Sequence, residues 1–362
     1  MNKRLLVMAG GTGGHVFPGL AVSFELASQN WEIHWLGTSG RMEAQIVPKS
    51  GYPISFIDVV GVRQNGIVTL LLAPFKIVKA IIQAHKVIKQ FQPHVVLGMG
   101  GFASGPGGVA AWLNRVPLIL HEQNAVPGLT NKLLSFIAKK VLTGFDNTFD
   151  AQSVSSNNKY VWVGNPVRRE FIVLPIKSNA DLPLNLLVVG GSLGAKVLNE
   201  TVPLALTDRN QVNVLHQTGA GNLDSVKETY SQHVSNSESY EIIEFIDDMP
   251  AAYAWADLVI CRAGALTVAE VAAAGVMAIF VPLPHAVDDH QTKNAQTLVA
   301  VQAAHLLPQR ELTAKQLRVL LDKYVLSPEK LVEMGKRCKA IARLDAAKEV
   351  AHYCIELSER AS

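Results

Sequence analysis

Cysteine is scarce in this chain of 362 residues: Cys261, Cys338 and Cys354 are three in number and widely separated. An odd, scattered set excludes a disulfide framework and a cysteine zinc cluster, and it favours a reducing cytosol. Charge of one sign is lacking too. The 33 Lys and Arg nearly balance the 30 Asp and Glu, leaving a net +3, so the total gives no reason to expect a nucleic-acid partner. No short repeat or low-complexity tract is visible, and a 49% hydrophobic content with 27 Gly and 17 Pro is that of a globular α/β protein. The apolar start, Met1 to Ala9, is short and ends in glycines instead of a small-residue cleavage site, so it reads as a first strand and not a signal peptide.

What is present is a repeated opening. KRLLVMAGGTGGH (Lys3 to His15) and LNLLVVGGSLGA (Leu184 to Ala195) each run from an apolar strand into a glycine turn and a helix, the way an α/β sheet builds a phosphate-binding end. The length exceeds what one core usually organises. Two nucleotide-fold domains facing across a cleft are therefore expected. The first half continues with a helix from Phe17 to Gln29 and strands in Trp31 to Thr38, Pro93 to Gly101 and Val116 to Asn124. The second half has strands in Asn213 to Gly219, Glu241 to Ile246, Ala256 to Ala265 and Gly275 to Pro284, then helices to the end. The junction falls around Val163 to Phe171 and the polar stretch to Pro183.

A nicotinamide-binding reading fails on detail. The dinucleotide fingerprint needs a third glycine at the sixth position and an acid after the second strand. Counted from Gly11 the sixth position is Val16, and the second strand ends in Gly37, Thr38 and Ser39. The later loop has no carboxylate after Leu215 to Gly219 either. Both loops then approach single phosphates or another ligand's backbone, or are only tight turns.

Seven segments occur together and in order: GGTGGHVFPGLAV (Gly10 to Val22), GMGGFASGPGGVAA (Gly98 to Ala111), HEQNAVPGLTNK (His121 to Lys132), GNPVRREF (Gly164 to Phe171), GGSLGA (Gly190 to Ala195), CRAGALTVAE (Cys261 to Glu270) and DDHQTKNA (Asp288 to Ala295). In this combination, over nearly the whole length, the chain resembles the MurG family of bacterial undecaprenyl-pyrophosphoryl-muramoyl-pentapeptide N-acetylglucosaminyltransferases, which make lipid II. The resemblance implies a GT-B fold of two Rossmann-like doubly wound parallel-sheet domains. It places lipid I on an N-terminal domain, 1–163, and UDP-N-acetylglucosamine mainly on a C-terminal one, 164–340, with a last helix, 341–362, returning to the first domain.

The family reaction inverts the anomeric carbon, so the acceptor 4-hydroxyl must lose a proton and the departing diphosphate must be stabilised. His15 is the candidate proton acceptor, with hydrogen bonding to substrate oxygens as its alternative role; Thr12, Gly13 and Gly14 would shape the adjoining sugar and phosphate contacts. For the diphosphate, the Gly190 to Ala195 loop offers backbone N–H groups and the Ser192 hydroxyl, and Arg168 a fixed charge, unless it is a plain surface arginine. Against the family's more usual GGSQGA, Leu193 replaces an amide side chain, which puts any contact of that side chain in doubt. Resemblance further implies Ile246 against the uracil, the turn and helix start Ala265, Leu266, Thr267, Val268 and Ala269 below the nucleotide, and Glu270 accepting both ribose hydroxyls. Gln291 would bind donor-sugar hydroxyls and Asn124 reach across from the first domain, with His290 adjacent. A solvated helix glutamate and ordinary turn or cap duty are the competing readings for Glu270 and for Asn124 and Gln291.

No metal and no cofactor are expected: no Asp-x-Asp triplet occurs, and the pairs Asp247-Asp248 and Asp288-Asp289 read as loop and helix-start residues. Ile67 to Lys89 is apolar but interrupted by Lys76 and Lys79 and broken by Pro74, a poor membrane span. With Lys86, Lys89 and the Lys139-Lys140 pair it suits a face lying on anionic lipid, or it is partly domain core. The expected location is peripheral, on the cytoplasmic face of the cell (inner) membrane, with cell-wall synthesis proteins as candidate partners. A UDP-N-acetylglucosamine 2-epimerase of similar fold and a catalytically silent nucleotide-sugar-binding scaffold are the other readings.

Overall fold

The computed structural model describes residues 2–59, 67–149, 158–284 and 289–360, with backbone alone for 67–72. The chain divides into two compact units, Met1–Arg168 joined by Arg343–Ser362, and Arg169–Ala342. Residues 164–168 thus group with the first unit, as does the last helix, Ala346–Arg360.

In the first unit seven strands form one parallel sheet: β1 (Arg4–Ala9), β2 (Glu32–Gly37), β3 (Ile54–Phe56), β4 (Val95–Gly100), β5 (Leu118–Glu122), β6 (Lys140–Thr143) and β7 (Tyr160–Trp162), in the order β3-β2-β1-β4-β5-β6-β7. A strand buried on both faces must be apolar where it is covered, and β1 is from its second residue on: Leu5, Val7 and Ala9 join one core, Leu6 and Met8 the other. The first core is closed by Val16, Val22 and Leu26 of the helix Gly13–Ala27 and by Val350, Ala351, Cys354 and Leu357 of the last helix. Across the sheet, Ala80, Ala84 and Ile88 of the helix Ile67–Phe91 pack with Ala110 and Ala111 of Ser104–Leu113. That first helix runs through Pro74, contrary to the expected break. Proline there removes one backbone hydrogen bond, and the buried stripe of Ala73, Ala80, Ala84 and Ile88 holds the helix together regardless.

The second unit repeats the design with six parallel strands, β8 (Leu184–Val189), β9 (Val212–Gln217), β10 (Tyr240–Ile243), β11 (Leu258–Cys261), β12 (Met277–Phe280) and β13 (Ala304–Leu306), ordered β10-β9-β8-β11-β12-β13. Leu184, Leu186 and Val188 pack on Leu198 and Val202, Val226 and Tyr230, and Leu317 and Leu321 of three covering helices. In both sheets the strand order reverses once, beside β1/β4 and beside β8/β11. Open parallel sheets bind ligands outside the carboxyl ends of the strands at such points, and the glycine loops leave the sheets there.

Candidate functional site

The first glycine loop is shorter than the motif suggests. The helix begins at Gly13, so Gly13, Gly14 and His15 form its first turn and not the loop's end. Exposed Thr12 caps it through its backbone carbonyl, with no side-chain cap hydrogen bond. The loop after β4 packs directly on this one: Gly101 (φ +87°) faces Gly10, and a β-carbon at 101 would strike the Gly10 carbonyl. Ser104, fully buried, ties the two strand ends together, its Oγ accepting the Gly100 N–H (3.1 Å) and lying 3.1 Å from the Met8 carbonyl.

His15 is half-buried, its ring against Gly100, where a β-carbon would lie 2.8 Å from Nδ1. Its Nδ1 is 3.0 Å from Gln123 Oε1. Gln123 and His121, both buried, sit at the end of β5, and the His121 ring reaches the Gly164 carbonyl at 2.8 Å. Burial pulls the His121 pKa down to about 4, so this imidazole is neutral at neutral pH. Glu122 between them is committed elsewhere. Its Oε1 accepts the Asn124 N–H (2.9 Å) and side-chain amide (3.3 Å), and its Oε2 accepts the Gly128 N–H (3.0 Å) and the Asn131 amide (2.8 Å). Four donors fill a carboxylate's four lone-pair positions, which makes Glu122 a loop-shaping group. Asn124 is held by it in the turn after β5. Arg168 lies in the first unit with its guanidinium 5.1 Å from the Phe17 ring centroid, on the helix that carries His15.

In the second unit, Gly194 (φ +75°) backs onto the Thr218 carbonyl, and the exposed Ser192 accepts the Ala220 N–H through its carbonyl (3.2 Å). The helix Lys196–Ala205 starts behind Ala195 without a side-chain cap. So does Ala265–Ala274 behind Gly264, whereas Asp248 and Thr313 cap their helices with side-chain oxygens. Uncapped starts keep the first-turn N–H groups for solvent or an anion. Leu193 is 83% exposed at the loop tip.

Ala265, Leu266 and Val268 are buried, Thr267 and Ala269 half-buried, so the apolar members of this set can offer a ligand little beyond backbone. Glu270 is only 8% exposed, which removes the solvated-glutamate reading, and it pushes the buried Cys261 thiol pKa further up. Ile246 is buried while its neighbour Phe245 is 58% exposed. Gln291, in the first turn of His290–Ala300, accepts the Leu283 N–H at 2.9 Å. Asp289 accepts from Thr292 Oγ1 at 2.7 Å; Asp288 lies outside the described residues. No cluster of three or more His, Cys, Asp or Glu side chains able to hold a metal occurs among the described residues.

Three features escaped the sequence: Gln123 and Glu122, visible only as letters in the HEQN segment, and Glu43, which supports the first glycine loop from another helix and has no motif at all.

Comparison with known proteins gives these geometries a family. The glycosyltransferase family 28 N-terminal domain matches residues 5–143 and the family 28 C-terminal domain residues 185–350. A Pseudoalteromonas atlantica protein named UDP-N-acetylglucosamine–N-acetylmuramyl-(pentapeptide) pyrophosphoryl-undecaprenol N-acetylglucosamine transferase is 62% identical, over 100% of this chain and 97% of its own length. One of the same name from Aeromonas hydrophila is 58% identical over 99% and 98%. The crystal structure of Acinetobacter baumannii MurG superposes with a TM-score of 0.81 at 42% identity, covering 98% of this chain and 99% of that one. A Neisseria meningitidis UDP-GlcNAc 2-epimerase bound to UDP-GlcNAc reaches a TM-score of 0.70 at 13% identity over 98% and 100%, a likeness of fold alone. With both family 28 domains and full-length relatives of that name, the chain belongs to the MurG family of inverting, GT-B-fold glycosyltransferases.

Proposed function

We propose that the chain transfers N-acetylglucosamine from UDP-N-acetylglucosamine to the 4-hydroxyl of undecaprenyl-pyrophosphoryl-MurNAc-pentapeptide, lipid I, with inversion, giving lipid II for peptidoglycan synthesis. The observation that carries this is the 62% identity, end to end, to a relative named for that reaction.

In this reading His15 takes the hydroxyl proton, while Thr12, Gly13 and Gly14 line the adjoining contacts. Uncapped helix starts after Thr12, Ala195 and Gly264, with Ser192 and Arg168, bear the phosphate charge in place of a cation. Glu270 takes the ribose hydroxyls, Ile246 and the Ala265 to Ala269 turn the base and nucleotide, Gln291 and Asn124 the sugar. The acceptor belongs to the first domain (1–163) and the donor mainly to the second (164–340).

A lipid-linked acceptor calls for an apolar face, and the first unit supplies one. Phe75, Val78 and Ile82 are exposed on the side of their helix opposite Ala80, Ala84 and Ile88. On further helices Trp112, Leu113, Leu129 and Leu133 are exposed too, with Phe136 just beyond. Exposed Lys79, Lys86, Lys89, Lys132 and Lys139 intersperse them, the mixture that binds an anionic surface. No helix among the described residues is long and apolar enough to cross a membrane. In this reading the enzyme attaches peripherally to the cytoplasmic face of the inner membrane through that apolar and basic face.

Incubation with UDP-N-acetylglucosamine and a short-chain lipid I analogue tests the reading, and a parallel arm in excess EDTA, where product should persist, tests the absence of a required cation. Disaccharide product is the expected outcome. N-acetylmannosamine would mean an epimerase, and neither product a silent scaffold.

A further inference from the structure

We propose that Gln123 and His121 are positioning residues that lock His15 in the tautomer with its proton on Nδ1 and a bare lone pair on Nε2. The polarity of the chain of hydrogen bonds is fixed at two points by groups that have no proton to give. His121 Nε2 lies 2.8 Å from the Gly164 carbonyl oxygen, so Nε2 must carry the His121 proton and Nδ1 must accept. The Gln123 amide lies 3.2 Å from His121 Nδ1 and 3.2 Å from the His121 carbonyl. Both of these accept, so the NH2 end faces them and the amide cannot be flipped. Its oxygen is thereby turned to His15 Nδ1 at 3.0 Å, and an oxygen can only accept there. Which imidazole nitrogen is bare is set by the bond that the other one makes.

The relay is stiff. His121 and Gln123 are 0% and 1% exposed, Asn165 Nδ2 holds the Gln123 carbonyl at 3.0 Å, and the His15 ring lies where a β-carbon on residue 100 would collide with it. In water a neutral histidine favours the proton on Nε2, the opposite tautomer. The relay therefore works against the intrinsic preference and keeps Nε2 ready to take a proton. Its catalytic use rests on His15 being the acceptor of the 4-hydroxyl proton; the tautomer itself does not.

The test is long-range 1H–15N correlation on the full 15N-labelled chain at neutral pH, which reports each imidazole nitrogen separately. Wild type should show a protonated Nδ1 and a bare Nε2 for His15, and the reverse for His121. In Gln123→Leu the His15 pattern should move toward Nε2–H. Its kcat should fall about 2- to 12-fold, the factor matching the net worth of one neutral hydrogen bond, with donor KM unchanged. Gln123→Glu again offers an oxygen to Nδ1 and should return the His15 proton there; because it also removes the amide donor to His121 Nδ1 and the His121 carbonyl, it is read by the His15 shifts and not by kcat. A wild-type His15 protonated on Nε2, or a folded Gln123→Leu variant with wild-type His15 shifts, overturns the proposal. If His15→Ala keeps full turnover while wild type shows Nδ1–H, the proton-acceptor role falls and the positioning relay stands.

Discussion

Glu43 reaches back from its helix to accept the backbone N–H of Gly11 at 2.9 Å. Its other oxygen accepts the Thr38 N–H (3.0 Å) and Oγ1 (2.7 Å), so one fully buried carboxylate binds the loop after β1 to the end of β2. Gly10 and Gly37 make room for it, since a β-carbon on either would collide with the Glu43 side chain. Glu43→Ala leaves three donors unpaired, the two on Thr38 buried, and should cost about 2–4 kcal/mol, together with turnover, because His15 follows the loop. Glu43→Gln, keeping one oxygen, should lose less. Thermal unfolding and kcat measure both; an unchanged melting temperature in the alanine variant would remove the supporting role.

Glu270→Ala should weaken UDP binding by about 1.5–3 kcal/mol, the worth of hydrogen bonds to a charged group. The side chain is buried below the end of β11, so melting must be followed alongside. Calorimetric titration decides: wild-type affinity in a well-folded variant would falsify the ribose assignment.

What was legible in the sequence follows from burial. Strands such as β1 from Leu5, β4, β8 from Leu186 and β11 are covered on both faces and spell apolar runs, as parallel strands must. Strands β3, β6, β7 and β13 have only three or four residues and contain half-exposed positions, too short for any pattern. The glycine loops were legible because their turns require positive φ, as at Gly11, Gly101, Gly191 and Gly194, which glycine adopts most readily. Glu43 and Gln123 were not, since each acts through partners brought near only by folding. Gly164, for example, lies far along the chain from the His121 ring that it orients.

The apolar helix face can be tested with residues that the fold leaves exposed. Ile81 packs partly into the core and Lys79 pairs with Asp58 at 2.8 Å, so Phe75→Ser, Val78→Ser and Ile82→Ser together are the cleaner variant. Co-sedimentation with anionic vesicles should drop, while turnover of a short-chain acceptor stays near wild type. Wild-type binding should also weaken with salt, since each lysine near an anionic surface adds about 1 kcal/mol that ions screen. Undiminished sedimentation would put the lipid contact on another face.

Stability should fall on mild acidification through His216. Its ring is buried between Tyr230 OH (3.0 Å) and Asn199 Oδ1 (3.1 Å), and burial drives its pKa down to about 3. Below pH ~6.5 the unfolded chain takes up a proton that the folded chain refuses until far lower pH, so acidification favours unfolding. Between pH 7 and 5 this amounts to about 2 kcal/mol. Urea unfolding of wild type and His216→Asn at both pH values should show a smaller pH dependence in the variant. Equal dependence would assign the loss to other groups.

His15→Ala should lower turnover by about 10²–10⁴-fold, the usual contribution of a general base, and leave donor affinity nearly unchanged. The residue stands in the first turn of Gly13–Ala27 in the first unit, whereas most groups assigned to UDP belong to the second. A base works only when unprotonated, so wild-type kcat should rise with pH through an acid-side limb, and that limb should vanish in the variant where chemistry limits the rate. Turnover, donor titration and the pH profile together separate the roles. Wild-type kcat with a raised acceptor KM would mark His15 as a group that merely holds the acceptor, and the proton would have to leave by another route. Glu122 could not provide it, because its four lone-pair positions are already taken by Asn124, Gly128 and Asn131.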